Sequence, residues 1–296
     1  MRYIIAWILI VCCVPSCFAC DVCGSSASAF SPGLQAFGNK PAFGVQQQVR
    51  RYATTHPGIF GSSATYSEEL FLRSDCRFQL PISQKWQLAG TLPISYQQQK
   101  TADTTALIVG LSNVQVGFNY FWIDKSDSSR GRAFRLSIGG GIKIPSGKRG
   151  NVHDRFFMLY PGTGTWDPFL NASVVLRRLK WIYQFDAVGI ARTTNVKSYK
   201  PGNFLQIGTV VHYKQFRVWP YSGVQFSWNG NDLVKGELLG ASPSRGELFA
   251  GIVGFTWPIK KWILSGNTQI PLYQQLSGGM TKQAVAFTCT IHYYLK

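Results

Sequence analysis

The chain has 296 residues, enough for one large β domain or two ordinary domains. Its hydrophobic content is 45%, and no apolar run long enough to cross a bilayer as a helix follows the N-terminus, which argues against a helical membrane bundle. The net charge of +17 suits nucleic acid, an anionic membrane surface or an anionic solute as a partner. Nucleic acid is disfavoured, because no basic cluster lies in a recognisable binding motif.

The first residues predict export from the cytoplasm. Arg2 precedes the apolar stretch 3–14, and a small-residue cleavage region follows at Ala19 and Cys20. This pattern predicts a signal peptide at residues 1–19, because the apolar stretch is too short to anchor the chain. An exported chain with many alternating strands is either a soluble β protein or an outer-membrane barrel.

A Cys/Ser/Gly-rich periplasmic leader is predicted at residues 20–41. Cys20 and Cys23 form a C-x-x-C pair that could bind a soft metal such as copper or zinc, or cycle as a redox pair. Lipidation of Cys20 and a leader disulfide are the open alternatives, and no other cofactor is expected. Cys76 and Cys289 are isolated in predicted strands, so the cysteines do not indicate a disulfide scaffold.

From residue 42 to residue 296 the chain predicts a barrel domain made of strands with period-2 alternation. The twelve predicted strands are 42–55, 65–80, 84–97, 106–122, 132–145, 165–178, 180–193, 203–214, 216–228, 245–258, 260–271 and 281–295. Short connections at 82–85, 124–131, 179, 215 and 259 alternate with long Gly/Pro/Ser-rich connections at 56–64, 98–105, 146–164, 194–202, 229–244 and 272–280. This alternation is typical of bacterial barrels, with short periplasmic turns and long extracellular loops.

The two faces of each predicted strand differ in chemistry. In the strand 132–145, Phe134, Leu136 and Ile138 share a bulky apolar face, whereas Arg135 and Lys143 lie on the polar face with small residues. In a membrane the apolar face meets lipid and the polar face lines the lumen. We therefore predict an all-β, monomeric, antiparallel up-and-down barrel in the cell outer membrane. A soluble Greek-key sandwich does not require such alternation of short and long connections.

Aromatic and basic residues cluster beside the short connections. The tryptophans there are Trp86, Trp122, Trp181, Trp219, Trp257 and Trp262, and they predict an interfacial girdle, with ordinary packing beneath turns as the alternative. The basic residues there are Lys85, Arg177, Arg178, Lys180, Lys214, Arg217, Lys260 and Lys261. They indicate either a solvated edge or contact with the anionic headgroups of outer-membrane lipid.

The polar faces supply the candidate site. The predicted lumen residues are Arg73, Asp75, Arg77, Gln115, Arg135, Lys143, Asp186, His212, Gln225 and Gln269. In a narrow barrel such groups could form a hydrogen-bonded, salt-bridged filling. Alternatively they could line a polar path in which the surplus of Arg and Lys favours anions. The loops 146–164 and 229–244 are predicted to fold inward as a constriction.

Several segments, taken in order, resemble the outer-membrane transporter family named for the meta pathway of phenol degradation. The most specific are Pro161-Gly-Thr-Gly-Thr-Trp-Asp-Pro168 and Gln269-Ile-Pro-Leu-Tyr-Gln-Gln275, and the similar region runs from Leu80 to Leu295. The leader Cys20-Asp-Val-Cys-Gly24 is similar to the N-termini of Bacteroidetes-type members. The resemblance implies a channel-like barrel for small, often apolar or aromatic, solutes.

Two positions depart from the family pattern. Gly110-Leu-Ser-Asn113 stands where the family often has Gly-Asp, and the chain ends in Tyr293-Tyr294-Leu295-Lys296 instead of on an aromatic residue. We predict no catalytic residue, because no histidine has a Ser two residues away on its strand or lies in a nucleophile motif. The alternatives to a channel are a closed barrel that serves a partner in an envelope complex, and a barrel enzyme.

Overall fold

A computed structural model describes residues 39–56, 65–127, 129, 131–150, 159–238 and 244–295. The predicted signal peptide and the leader up to residue 38, with Cys20 and Cys23, lie outside these residues and stay predictions. In the part of the chain that the structure describes, no helix has the length and apolar character needed to span a membrane.

The described chain is almost entirely strand. The strands are β1 (Ala42–His56), β2 (Thr65–Pro81), β3 (Trp86–Lys100), β4 (Thr105–Leu111), β5 (Val114–Asp127), β6 (Arg132–Ile144), β7 (Asp167–Arg178), β8 (Trp181–Ile190), β9 (Tyr199–Lys200), β10 (Phe204–Tyr213), β11 (Trp219–Asn229), β12 (Leu233–Val234), β13 (Glu237–Leu238), β14 (Gly246–Ile259), β15 (Trp262–Leu276), β16 (Thr281–Gln283) and β17 (Ala286–Tyr294). One 3₁₀ turn lies at Ser277–Gly279. Most strand bounds lie within three residues of the predicted ones, but β5 and β15 each continue five residues further, so most of the predicted connection 272–280 is strand or 3₁₀ turn.

The main sheet closes on itself into a barrel. β1 pairs with β2 along one edge and with β16 and β17 along the other, and each of these pairings is antiparallel. Two wall strands are interrupted. β4 and β5 form one strand broken at Ser112–Asn113, and β16 and β17 form another. The wall therefore has twelve strands, which confirms the predicted fold.

Tight turns join the strands at the end that also carries the first and last strand ends. Leu179 and Lys260 adopt φ values of 55° in two of these turns, the left-handed conformation that two-residue hairpin turns require. Two predicted turns differ in length. Because β5 continues to Asp127, the turn before β6 is shorter than predicted, and because β11 begins only at Trp219, the turn after β10 is longer.

Side-chain exposure shows which face meets lipid. Large apolar residues such as Phe118 and Val253 point outward and are 48% and 57% exposed. The largest fully buried side chains include Lys143, His212 and Gln87, which point inward. A water-soluble protein would bury the first set and expose the second, because apolar burial drives folding in water. The apolar outer surface identifies a membrane-spanning barrel with a polar interior.

Tryptophans of the predicted interfacial girdle, called the periplasmic girdle below, lie on the outer surface, and three of them pack against tyrosine rings. Trp86 packs on Tyr120 with 4.9 Å between ring centroids, Trp181 on Tyr213 with 4.7 Å, and Trp262 on Tyr293 with 4.8 Å. Amphipathic rings favour this headgroup level of the bilayer.

The prediction was wrong for Trp219, which is only 9% exposed and clusters with Val175 and Ile182. Trp219 and Gln225 lie six positions apart on β11, an even spacing, so they share the inward face. The ring of Trp219 also lies 4.9 Å from Nζ of Lys214. Proximity to a turn is therefore a weaker indication of facing than strand parity.

Candidate functional site

The candidate site is the barrel lumen, and the structure turns all ten predicted residues toward it. They are Arg73, Asp75 and Arg77 on β2, Gln115 on β5, Arg135 and Lys143 on β6, Asp186 on β8, His212 on β10, Gln225 on β11 and Gln269 on β15. They do not form one constellation. Some of them belong to a central ion cluster, some line a cavity, and others lie on the inner surface nearer the ends of the barrel.

The central ion cluster is built on β2. Arg73 Nε lies 2.7 Å from Asp75 Oδ1, and Arg77 Nη2 lies 3.4 Å from Asp75 Oδ2. Every second side chain of a strand faces the same way, so these three share the lumen face. Their side chains are 6%, 1% and 8% exposed. One buried carboxylate between two guanidinium groups leaves an excess of positive charge.

Three further residues complete the central ion cluster across the lumen. Lys143 is 1% exposed and interacts electrostatically with Arg192, Asp167, Arg73 and Asp75. Asp167 stands opposite Lys143 in the pairing of β6 with β7. The cluster therefore contains four cations, Arg73, Arg77, Lys143 and Arg192, and two carboxylates, Asp75 and Asp167.

Sequence analysis missed Asp167 and Arg192 as lumen residues. Parity could have found both. Asp167 shares the inward face of β7 with Asn171, and Arg192 continues the inward series of Asp186 just beyond the end of β8.

A second ion pair lies nearer the periplasmic end. Arg135 Nη2 is 2.9 Å from Asp124 Oδ1, and the Arg135 guanidinium carbon lies 5.8 Å from the centroid of the Phe121 ring. A β-bulge between Phe121 and Ile123 shifts the register there. The shift places Asp124 directly opposite Arg135, so the bulge positions this pair.

A cavity of about 140 Å³ with a mixed polar and apolar lining, here called the lumen cavity, lies beside the central ion cluster. Arg77, Gln115 and Asn119 line one side of it, and Asn171 and Asp186 line the other. Asn171 donates from Nδ2 to Asn119 Oδ1 at 3.0 Å. Fixed amides and one carboxylate thus surround a space with room for a small solute or several waters.

Glycines and apolar residues complete the lining of the lumen cavity. Gly117 lies in its wall, and Phe169, Val188 and Ile190 add an apolar surface opposite Arg77. Side chains at Gly139 and Gly141 would collide with the backbone of β5. Because these two glycines have no side chain, β5 and β6 can approach closely and the lumen stays wide at this level.

An apolar septum lies in the extracellular half of the lumen. Its members are Leu159 together with the inward-facing residues Tyr52, Phe71, Leu248, Ala250 and Leu276. Leu159 is 0% exposed, although it belongs to the long loop between β6 and β7. The other members belong to β1, β2, β14 and β15, so the described part of this loop folds into the lumen.

The described part of the loop 229–244 pairs with a neighbouring loop. β12 pairs with β13 and with β9, forming a three-stranded cap sheet beyond the barrel rim. Tyr199 donates its hydroxyl to Asp232 Oδ2 at 3.0 Å, and the Gly202 amide donates to Asp232 Oδ1. This carboxylate joins the two extracellular loops, so the cap sheet forms between loops that the sequence analysis treated separately.

The described residues contain no group of three or more His, Cys, Asp or Glu side chains that could hold a metal ion. His212 and His292 are 1% and 3% exposed and point into the lumen. The His212 ring lies 4.6 Å from that of Tyr221. Neither Cys76 nor Cys289 forms a disulfide bond with another described residue, and both are exposed on the outer surface.

The barrel is closed, its exterior is apolar and its interior is polar. These three features define the class of protein, which is a twelve-stranded β-barrel of the bacterial outer membrane. No family model matches the chain, and no curated protein matches it.

Among solved structures, the chain resembles an outer membrane channel from Pseudomonas putida F1. The two are 14% identical with a TM-score of 0.65, over 90% of this chain and 100% of the other. It also matches the transport unit of the autotransporter AIDA-I from Escherichia coli, with 12% identity and a TM-score of 0.48, over 92% and 95% of the two chains. The CymD monoaromatic hydrocarbon channel matches with 7% identity and a TM-score of 0.44, over 87% and 89%. The first similarity supports the barrel fold.

Proposed function

We propose that the protein is an outer-membrane channel that passes a small solute and changes no covalent bond in it. We further propose that it belongs to the transporter family of the meta pathway of phenol degradation that its sequence resembles. The observation that supports the channel is the lumen cavity inside a closed membrane barrel, beneath a septum that includes the loop residue Leu159. A strand wall is rigid, whereas a loop residue such as Leu159 can move without breaking the barrel.

The four cations of the central ion cluster outnumber its two carboxylates together with Asp186 in the cavity lining. The lumen cavity therefore favours a small anion, and an aromatic one fits best. Arg77 supplies a planar fork of donors that matches a carboxylate, and the central ion cluster adds further positive charge. Phe169 and Ile190 offer an apolar surface on the facing side. Asn119 and Asn171 can exchange hydrogen bonds with hydroxyl groups. An aromatic carboxylate would use all three kinds of contact.

Single-channel recording in planar bilayers tests this function. The wild-type barrel is expected to conduct with a preference for anions, and the Arg73→Ala and Arg77→Ala variants are expected to reduce that preference. Arg51→Ala is a matched control, because Arg51 is an exposed arginine on the outer face of β1. Unchanged selectivity in both lumen variants would remove Arg73 and Arg77 from the solute path.

The apolar septum and the cap sheet favour a second candidate, a closed barrel that serves an envelope complex. Among the described residues, a cavity of about 20 Å³ lies beside the septum residues Tyr52, Leu248 and Leu276. For this candidate, the barrel would carry no current in any variant and would co-purify with the same partner subunits from the outer membrane. Current through the isolated barrel would reject it.

A further inference from the structure

A basic groove lies on the outer surface at the periplasmic end of β5, β6 and β7. Its volume is about 630 Å³, and it is distinct from the lumen. Three cationic side chains on outward positions line it, Lys125, Arg132 and Arg178, with Asp127 beside them. Arg177 adds a fourth cation at the rim.

The register of the strands places like charges side by side. Arg132 stands directly opposite Arg178 in the pairing of β6 with β7. Two cations in such a position repel each other, which destabilises a strand pair unless an anion lies between them. Asp127 stands opposite Arg132 in the pairing of β5 with β6, but among the described residues no salt bridge involves Lys125, Arg132 or Arg178.

Other basic residues of the same end have different surroundings. Lys261 lies with its Nζ 5.8 Å from the centroid of the Tyr293 ring, and Lys214 lies over Trp219. These two lysines are therefore partly compensated by aromatic rings. The basic groove gathers three outward cations around a single outward carboxylate, Asp127, and therefore keeps a net positive charge.

The basic groove also lies at the level of the lipid headgroups on the periplasmic side of the membrane. Arg178 is paired in register with Trp181, a residue of the periplasmic girdle, and Trp122 lies on the outer face of β5 just above Lys125. Phe134 and Leu176 form an apolar surface within the groove and are 36% and 44% exposed. The charged part thus faces headgroups while the apolar part faces acyl chains.

We propose that the basic groove binds one anionic phospholipid of the periplasmic leaflet, with phosphatidylglycerol as the representative chemistry. The phosphodiester lies between Arg132 and Arg178, where two guanidinium forks can donate to its oxygens and remove the repulsion between them. One acyl chain follows Phe134 and Leu176 into the bilayer. The proposal is independent of whether the lumen conducts.

Native mass spectrometry of the detergent-solubilised barrel tests the site. The probes are phosphatidylglycerol, phosphatidylcholine and inorganic phosphate. The Arg132→Gln/Arg178→Gln variant is expected to lose affinity for phosphatidylglycerol by about tenfold, while phosphatidylcholine binding is unchanged. Lys260→Gln/Lys261→Gln removes the same charge from another turn of this end and is expected to retain the affinity.

Three outcomes would overturn the proposal. Equal losses in the two double variants would indicate a diffuse charge effect instead of a site. An unchanged affinity in the arginine variant would exclude the groove. Displacement of the lipid by inorganic phosphate at comparable concentration would indicate an anion site that does not recognise the lipid. Heat-modifiable gel migration checks folding, and Arg132→Lys/Arg178→Lys, which keeps the charge but loses the fork, is the second variant if the first does not fold.

Discussion

The Nε of Arg73 donates a 2.7 Å hydrogen bond to Oδ1 of Asp75, two residues further along the same strand. This contact orients one guanidinium, while the second oxygen of Asp75 accepts from Arg77. The carboxylate therefore holds two like charges on one buried face. Its removal would affect both the stability of the barrel and the charge of the lumen.

Asp75→Asn is expected to increase anion preference and to lower the free energy of unfolding by about 3 kcal/mol. The physical reason is that breaking a buried ion pair leaves its cations uncompensated. Reversal potentials in a salt gradient measure the first effect, and urea unfolding in lipid vesicles measures the second. Cys76→Ala, at the other neighbour of Asp75 and exposed on the outer face of β2, should change neither quantity. A lower anion preference in Asp75→Asn would contradict the assigned role.

Leu159→Ala is expected to increase conductance, because it removes the loop side chain at the centre of the apolar septum. It should also cost about 2 kcal/mol of stability, since a buried leucine is truncated. Leu170→Ala is the matched control, because Leu170 is 71% exposed on the lipid face. If both variants conduct like the wild type, the septum does not limit the current.

Because the outer face of β14 meets lipid, the destabilisation caused by a charge on that face is expected to depend on its depth in the membrane. Val253→Arg, well inside the apolar surface, is expected to destabilise the barrel by about 2–4 kcal/mol. Ile259→Arg lies on the same face beside Lys260, so its expected cost is about 0–1 kcal/mol. Reversible unfolding from vesicles measures both. Equal costs at the two positions would indicate that this face does not cross hydrocarbon.

Gly141→Ala is expected to destabilise the wall by about 2 kcal/mol, because the new Cβ would collide with the backbone of Val116 and Gly117. Gly189→Ala is the control, since no atom lies within 4 Å of a Cβ placed there. Thermal loss of heat-modifiable migration compares the two variants. A tolerated Gly141→Ala would show that β5 and β6 can separate without loss of pairing.

Much of the fold could be predicted because strand alternation is a local property. The parity of Arg73, Lys143 and Asp186 placed them on inward faces without knowledge of which strands meet. The same rule places Trp219 inward. The prediction that it faces outward relied on its position beside a turn, which is a weaker indication than strand parity. The interruption at Ser112–Asn113 also has a local signature, since the outward apolar positions change from odd numbers (Leu107, Val109) to even numbers (Phe118) across it, and the prediction of one continuous strand overlooked this change.

The sequence by itself determined the number of strands, their direction and which face of each meets lipid, because the repeat of two residues and the turn composition act over a few neighbours. Only the tertiary structure decided which groups meet across the lumen. Closure of the barrel brings Lys143 to the ions of β2, and the loop that carries Leu159 reaches strands distant in the chain. Such contacts depend on register, shear and loop path, which are properties of the closed wall and not of any single segment.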